Sequence, residues 1–144
     1  MRFLKKKTND ADGKESKYRN RKVEYDGMLF DSKKELKRYI FLKDAEERGV
    51  ISGLRRQIRY ELIPAIKRAE IVHLKTKDKV VERTEQLPIT YTCDFCYMKG
   101  EEEVFEDVKP SKSMIPTEFT LKAKLFFWKY GKKIRLIFEP NESI

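Results

Sequence analysis

The sequence predicts one α/β (α+β) domain, in which a mixed central sheet of four to five strands is flanked by two helices. A chain of 144 residues has room for a single sizeable core. Two segments space their apolar residues as amphipathic helices do, and several others alternate apolar and polar residues as strands do. The chain is too short for a TIM barrel, and it has no Gly-rich loop of the kind that binds dinucleotides.

The first 20 residues differ in composition from the remainder. They are polar, strongly basic and almost free of apolar side chains, so they cannot bury enough surface to order themselves. We therefore predict a flexible basic N-terminal arm over residues 1–20 and a folded domain over residues 21–144. No stretch approaches the ~20 apolar residues of a membrane span, and no secretory signal follows the basic start. We expect a cytoplasmic protein that does not contact a membrane.

Both helices have recognisable ends. The first is predicted over residues 32–48, with Asp31 or Ser32 as its N-cap and Gly49 at its end. Its apolar stripe would comprise Leu36, Tyr39, Ile40, Phe41 and Ala45. The second helix ends at Gly131, and its stripe would comprise Phe119, Ala123, Phe126, Phe127 and Tyr130.

The strands are separated by turn signals. Asp26-Gly27 predicts a hairpin, and the alternating residues 58–62 predict a strand that ends at Pro64. Residues 65–86 fit a polar hairpin or a helix, and we favour a hairpin that turns near Lys77-Asp78. Residues 87–110 predict two strands joined at Gly100, and residues 133–140 supply a last strand.

The charge balance indicates a polyanionic partner. The chain has 33 Lys and Arg against 24 Asp and Glu, a net charge of +9. A generally basic surface is the ordinary alternative. Cys93 and Cys96 form a C-x-x-C pair, but positions three apart on a strand point to opposite faces. We therefore interpret them as buried apolar residues and not as a metal or redox pair.

The hairpin around Gly100 carries the most informative constellation. With a loop of two or four residues, Asp94 lies opposite Asp107 and Thr92 opposite Lys109, so the two aspartates and Lys109 share one face. The opposite face would be the core side, and it contains Tyr91, Cys93, Phe95, Tyr97, Val104 and Val108.

Opposed aspartates repel each other, and a divalent cation would offset this repulsion. Mg²⁺ suits such a site because it accepts one or two carboxylates, waters and a substrate phosphate. Lys109 would then hold or deprotonate the attacking water. The ordinary alternative is an exposed cross-strand pair of slight energetic value.

Two further residues are candidates for the same site. Glu35 lies in the first turn of the first helix, at the edge of its buried stripe, where it can point toward the aspartates. The alternative is a capping box with Ser32, in which Glu35 only satisfies a backbone N–H. Gln57 is a weaker candidate for orienting a phosphate or a water.

Four blocks in this order, "FDSKKE", "RRQIRYELIP", "YTCDF" and "FEDVKP", resemble small phage-encoded proteins of the PD-(D/E)XK nuclease superfamily, similar to phage endonuclease I, which resolves Holliday junctions. The resemblance implies a single restriction-endonuclease-like domain. It implies that Glu35, Asp94 and Asp107 hold one or two Mg²⁺ or Mn²⁺ ions, with Lys109 as the catalytic lysine and Gln57 as an accessory residue. It also implies a homodimer, in the host cytoplasm if the protein is phage-encoded.

The sequence departs from the superfamily pattern at two points. Cys93 replaces the proline before the first aspartate, and Asp107 stands where many members have glutamate. Glu106 directly precedes Asp107, and a β-bulge would allow it to take the place of Asp107.

The expected function is a metal-dependent DNA endonuclease that acts on branched or structured DNA, which it would recognise by shape. The side chains expected to contact phosphates are Lys112, Lys122, Lys124, Arg19 and Arg21. One alternative is a non-catalytic phage DNA-binding protein. Another, suggested by a similar order of motifs, is a transposon-end nuclease that acts with a partner.

Overall fold

A computed structural model describes residues 21–144, and the predicted N-terminal arm, residues 1–20, lies outside them. Within the described residues the elements follow the order β1 (Val23–Tyr25), β2 (Met28–Phe30), α1 (Lys33–Glu47), β3 (Ser52–Ile63), β4 (Ile66–His73), β5 (Asp78–Gln86), β6 (Ile89–Lys99), β7 (Glu102–Val108), a short 3-10 helix (Lys112–Met114), α2 (Thr117–Tyr130) and β8 (Ile134–Ile137).

The central sheet has four strands in the order β3-β6-β7-β8. The pairs β3–β6 and β6–β7 are antiparallel, whereas β7 and β8 are parallel and are connected through α2. The strands β1 and β2 form one separate hairpin, and β4 and β5 form another. The prediction of a single α/β (α+β) domain with a mixed sheet and two helices is confirmed.

The turn chemistry behaves as predicted at the hairpins. Asp26 and Gly27 both have positive φ, 50° and 72°, as the tight turn between β1 and β2 requires. Residues 66–86 form the β4–β5 hairpin, so the helical alternative for this segment is wrong, and the turn lies at Lys75-Thr76, two residues before the predicted Lys77-Asp78. The hairpin of β6 and β7 closes through Gly100 and Glu101, a two-residue loop.

The helices begin and end where the sequence predicts, but their buried faces differ from the expected stripes. Ser32 caps α1 by accepting the backbone N–H of Glu35, and α2 ends at Gly131. On α1, Arg38 is buried whereas Ile40 is 45% exposed. On α2, Phe127 is 49% exposed and lies outside the core stripe. Neither helix, nor any other helix in residues 21–144, is long and apolar enough to cross a membrane.

Each face of the sheet has its own core. The core under α2 comprises Leu62, Tyr91, Cys93, Cys96, Phe105, Phe119 and Phe126. The core under α1 comprises Leu42, Ala45, Ile51, Phe95 and Tyr97. The sheet is therefore covered on each side by one helix.

The neighbouring strands β3 and β6 change faces at the same position. On β3, Leu54 packs in the core under α1, whereas Ile58, four residues later, packs under α2. Residues an even number apart should share a face. The change falls at Gln57, and the register on either side places Gln57 opposite Asp94 of β6.

The same change occurs on β6. Cys93 packs under α2, whereas Phe95 packs under α1. The expectation that Tyr91, Cys93, Phe95 and Tyr97 share one core face is therefore wrong. Cys93 and Cys96 are buried and free, as interpreted from the sequence, but both belong to the core under α2 and do not point to opposite faces.

A buried ion pair joins α1 to β7. The guanidinium of Arg38 donates to both carboxylate oxygens of Glu106, at 2.8 and 2.6 Å, and both side chains are fully buried. Tyr97 donates a further hydrogen bond to the same carboxylate at 2.6 Å. The bidentate geometry and the additional donor meet the conditions under which a buried ion pair is tolerated.

We expect Glu106→Gln to lower the free energy of unfolding by about 3 kcal/mol, because it leaves the buried charge of Arg38 without an anion. Urea unfolding measures this change. Asp44→Asn is the matched control, since it removes an exposed pair with Arg48 and is expected to cost at most about 0.5 kcal/mol. Equal effects of the two substitutions would contradict a structural role for the buried pair.

Candidate active site

The five side chains expected to be catalytic line one cavity of about 450 Å³. They come from α1, β3, β6, β7 and the residue that follows β7, and they are Glu35, Gln57, Asp94, Asp107 and Lys109. The cavity lies where the hydrogen-bonded ladder between β6 and β7 ends, at the pair Phe95–Glu106. Residues far apart in sequence are thus brought together by the fold.

The predicted register of the β6–β7 hairpin is confirmed up to the edge of the cavity. The pairs run from Lys99–Glu102 to Phe95–Glu106, so Asp94 and Asp107 are the next two facing positions, one step beyond the last pair. Beyond this point a side chain continues the connection, because the Asp94 carboxylate accepts the backbone N–H of Val108 at 2.8 Å. Asp94 thereby joins the two strands as they separate.

Asp107 is almost fully buried and is held by two donors. The Tyr91 hydroxyl donates to one of its oxygens at 2.7 Å, and the Lys109 ammonium lies 2.6 Å from the other. The Lys109 ammonium also lies 4.2 Å from the centre of the Phe119 ring, a cation–π distance. Asp107 and Lys109 therefore share the α2 side of the sheet, as their spacing of two predicts.

Glu106 does not take the place of Asp107. Its side chain points to the α1 side, where it holds Arg38, and it does not line the cavity. Strand β7 pairs regularly with β8 across Glu106 and Asp107, without the bulge that would exchange the two acids.

Gln57 connects the acid of α1 to the acid of β6. Its amide nitrogen donates to Glu35 at 2.9 Å and to Asp94 at 3.2 Å. The other oxygen of Glu35 accepts the backbone N–H of Asp31 at 3.3 Å. The Ser32 half of the capping box is present, but the Glu35 carboxylate faces the cavity and does not close the box on Ser32.

The backbone of Gln57 is in the left-handed region, with φ 52°, in the middle of a strand. A non-glycine residue in this region costs on the order of 1–3 kcal/mol and persists only when its surroundings impose it. Such outliers cluster at functional sites. The strained backbone coincides with the position where both strands change faces, so it helps to present the amide to the two acids.

The three acids lie close enough to perturb one another. Burial and the negative charge of Asp107 raise the pKa of Asp94 from its ordinary 3.8 to about 7, and the charge of Glu35 adds to this rise. Burial also raises the pKa of Glu35, although the hydrogen bond from Gln57 opposes the rise. The cavity therefore disfavours three simultaneous negative charges.

Comparison with known proteins places the chain in a family. Residues 15–140 match a family described as Protein of unknown function (DUF1064). The chain belongs to this family. No curated protein and no solved structure matches the chain.

The carboxylates of this DUF1064 protein offer oxygen ligands of the kind that Mg²⁺ and Mn²⁺ prefer. In residues 21–144, no group of three or more His, Cys, Asp and Glu side chains is arranged to hold a metal ion by itself. Mg²⁺ usually keeps several waters and takes only one or two carboxylates. The donor set fits such a hydrated ion, because Asp94 and Asp107 border a cavity with room for waters and a phosphate.

The residues expected to bind DNA do not form one cluster and lie in several parts of the structure. Lys122 lines the cavity and pairs with Glu118 at 2.7 Å, whereas Lys124 lines a separate apolar groove beside α2. Lys112 is exposed on the 3-10 helix. Arg21 lies in a neighbouring cavity of about 410 Å³, together with Lys33, Lys34 and Lys109. Arg19 lies outside the described residues.

Sequence reasoning missed three residues of the site. Tyr91 appeared to be a core residue, and Glu118 and Phe119 of α2 appeared to belong only to a helix, yet all three line the cavity. Burial raises the pKa of Tyr91 far above its usual range, so its hydroxyl stays protonated and can donate to Asp107. Contacts between β6, β7 and α2 create these roles, and no local sequence signal shows them.

We expect Asp94→Asn to stabilise the protein in metal-free buffer at pH 8. The folded pKa of Asp94 is above its unfolded value, so the wild type loses stability as the pH rises from about 4 to about 7, and the amide variant does not. The gain should be on the order of 2 kcal/mol at pH 8 and should vanish near pH 4. Urea unfolding at the two pH values, with Asp44→Asn as control, tests this. If the variant is less stable than the wild type at pH 8, the negative charges of Asp94 and Asp107 do not destabilise the folded protein as inferred.

Proposed function

We propose that this protein is a Mg²⁺-dependent DNA endonuclease of the PD-(D/E)XK type that hydrolyses phosphodiester bonds in branched or structured DNA. The observation that carries the proposal is the convergence of Glu35, Gln57, Asp94, Asp107 and Lys109 in one cavity. The sequence pattern alone indicates the same five residues. The proposal includes a homodimer in the cytoplasm, which the resemblance to phage resolvases implies.

Asp94 and Asp107, with Glu35 as a third acid, would hold one or two Mg²⁺ or Mn²⁺ ions. A bound ion of this kind lowers the pKa of water and offsets negative charge on a phosphoryl group. The charge of the ion would also relieve the repulsion that raises the pKa of Asp94.

Lys109 would place its positive charge beside the scissile phosphate. Its ammonium is held between Asp107 and the ring of Phe119, so its position is fixed before DNA binds. From there it can orient the attacking water and balance the negative charge that develops on the phosphate oxygens. Gln57 would keep Glu35 and Asp94 in their relative positions through its two hydrogen bonds.

Basic side chains around the cavity would guide the DNA backbone. Lys122 lines the cavity itself, and Arg21 and Lys33 line the adjacent one. Lys34 is fixed toward the same region by donating to the carbonyl oxygen of Pro110 at 2.8 Å. With a net charge of +9, the protein is expected to bind DNA in a strongly salt-dependent way.

We expect Lys109→Met and Asp107→Asn each to lower the rate of DNA cleavage by roughly 10²-fold or more, because each removes a group that acts on the developing charge. The measurement is nicking of four-way junctions and of linear duplexes in Mg²⁺. Lys99→Met is the matched control, since Lys99 is exposed at the far end of β6. A wild-type rate of DNA cleavage in Lys109→Met or Asp107→Asn would contradict the proposal.

A second candidate is a non-catalytic DNA-binding protein whose acids are structural. One observation favours it: each carboxylate oxygen of the three acids already has a hydrogen-bond or ion-pair partner inside the protein. These partners are the backbone N–H groups of Asp31 and Val108 and the side chains of Gln57, Arg56, Tyr91 and Lys109.

Metal-linked stability separates the two candidates. An ion that binds only the folded state raises its stability, by about 2.7 kcal/mol when its concentration is 100 times Kd. If the nuclease proposal is right, Mn²⁺ should raise the melting temperature of the wild type but not that of Asp107→Asn. The structural alternative predicts that Mn²⁺ shifts neither protein and that DNA is bound without cleavage.

A further inference from the structure

The β4–β5 hairpin projects from the domain without a packing partner. Its strands contact each other, and no other element of the described chain packs closely against them. A strand of eight residues extends about 26 Å. An isolated two-stranded hairpin is only marginally stable in water, so a hairpin of this length is expected to serve a binding partner.

Charge is distributed unevenly along this hairpin. All four of its acidic side chains pair with basic or imidazole side chains of the hairpin itself, in the pairs Lys67–Glu82, Arg68–Glu85, Glu70–Arg83 and His73–Asp78. None of the ion pairs within residues 21–144 involves Lys75, Lys77 or Lys79. The part of the hairpin away from the turn is therefore nearly neutral, and the tip, residues 73–79, has three lysines, Lys75, Lys77 and Lys79, against one acid, Asp78.

The geometry of the tip places these lysines at the end of the hairpin. The backbone N–H of Leu74 donates to the carbonyl oxygen of Lys77 at 2.9 Å, which leaves Lys75 and Thr76 as the turn. Lys79 follows on β5, opposite Val72. Next to the tip, the facing residues Ile71 and Val80 are 61% and 66% exposed.

The tip fits duplex DNA better than a protein surface. Lysine is depleted at protein–protein interfaces. On DNA, lysines neutralise phosphates and release counterions, which supplies much of the affinity. The major groove, about 12 Å wide, admits a two-stranded β-ribbon, and thymine methyl groups there accept apolar contacts.

We propose that the β4–β5 hairpin is a second DNA-binding element, which lies in the major groove of a duplex that extends away from the cavity. Lys75, Lys77 and Lys79 contact phosphates at the groove edges, and Ile71 and Val80 face the groove. This inference rests on the proposed function in that it takes DNA as the substrate, but it does not require cleavage.

The test is equilibrium binding of a labelled duplex in EDTA, where the proposed cleavage cannot occur. Substituting Lys75, Lys77 and Lys79 together by Gln should weaken binding about tenfold or more at moderate salt and reduce the slope of log K against log salt by up to about 2.7. The matched control substitutes Lys37, Lys99 and Lys132 by Gln, three exposed lysines on other parts of the chain. It changes the net charge equally.

Equal salt slopes for the tip variant and the control variant would overturn the inference. If the wild type cleaves DNA while the two variants bind alike, the hairpin proposal fails and the nuclease proposal stands. If the wild type does not cleave but the tip variant alone loses affinity and slope, the nuclease proposal fails and the hairpin proposal stands.

The groove contact has its own test. Ile71→Thr with Val80→Thr keeps residues that favour strands but removes apolar surface. This variant should bind the duplex several-fold more weakly with an unchanged salt slope, because no charge is altered. Wild-type affinity in this variant would overturn the placement of the pair in the groove.

Discussion

The buried ion pair between Arg38 and Glu106 is the interaction on which the geometry of the cavity depends. Arg38 lies three residues after Glu35 on α1, so the two side chains share one side of the helix. Glu106 directly precedes Asp107 on β7, so these two acids point to opposite faces of the strand. One contact therefore fixes the helix that carries one cavity acid against the strand that carries another. Because a buried pair adds little net stability, we infer that its main role is to select this single alignment.

The cavity brings together carboxylates whose negative charges repel one another. Three acids from three elements meet where β6 and β7 separate, and the raised pKa of Asp94 reports the cost. The fold limits this cost with neutral donors, the amide of Gln57 and the hydroxyl of Tyr91, and with two cations, Lys109 beside Asp107 and Arg56 at 3.7 Å from Glu35. Neutral donors hold carboxylates in place without cancelling their charge. The donors to Asp94 are the amide of Gln57 and the backbone N–H of Val108, both neutral, so this carboxylate keeps its attraction for a cation from solution.

Local patterns predicted much of this structure, and contacts between distant residues produced the remainder. The two-residue loop at Gly100 fixes which residues of β6 and β7 face each other, so the positions of the aspartates followed from the sequence. The burial of Arg38 did not, because a helix pattern assigns arginine to the surface. Partners far away in the sequence make its burial tolerable: the carboxylate of Glu106, 68 residues away, and the carbonyl oxygens of Pro140 and Glu142. The change of face at Gln57 was equally inaccessible, since glutamine carries no signal for a left-handed backbone in a strand.

In the proposed function, DNA affinity and DNA chemistry come from different parts of the molecule. A phosphate that enters the cavity meets carboxylates that repel it, so the cavity alone is a poor source of affinity. The basic residues beside it and the lysine tip of the β4–β5 hairpin carry the opposite charge and require no metal. In this proposal the hairpin would hold a duplex arm whether or not the cavity contains an ion. Cleavage would then depend on neutralising the cavity, and a divalent ion held by Asp94 and Asp107 would supply the positive charge that a bound phosphate needs there.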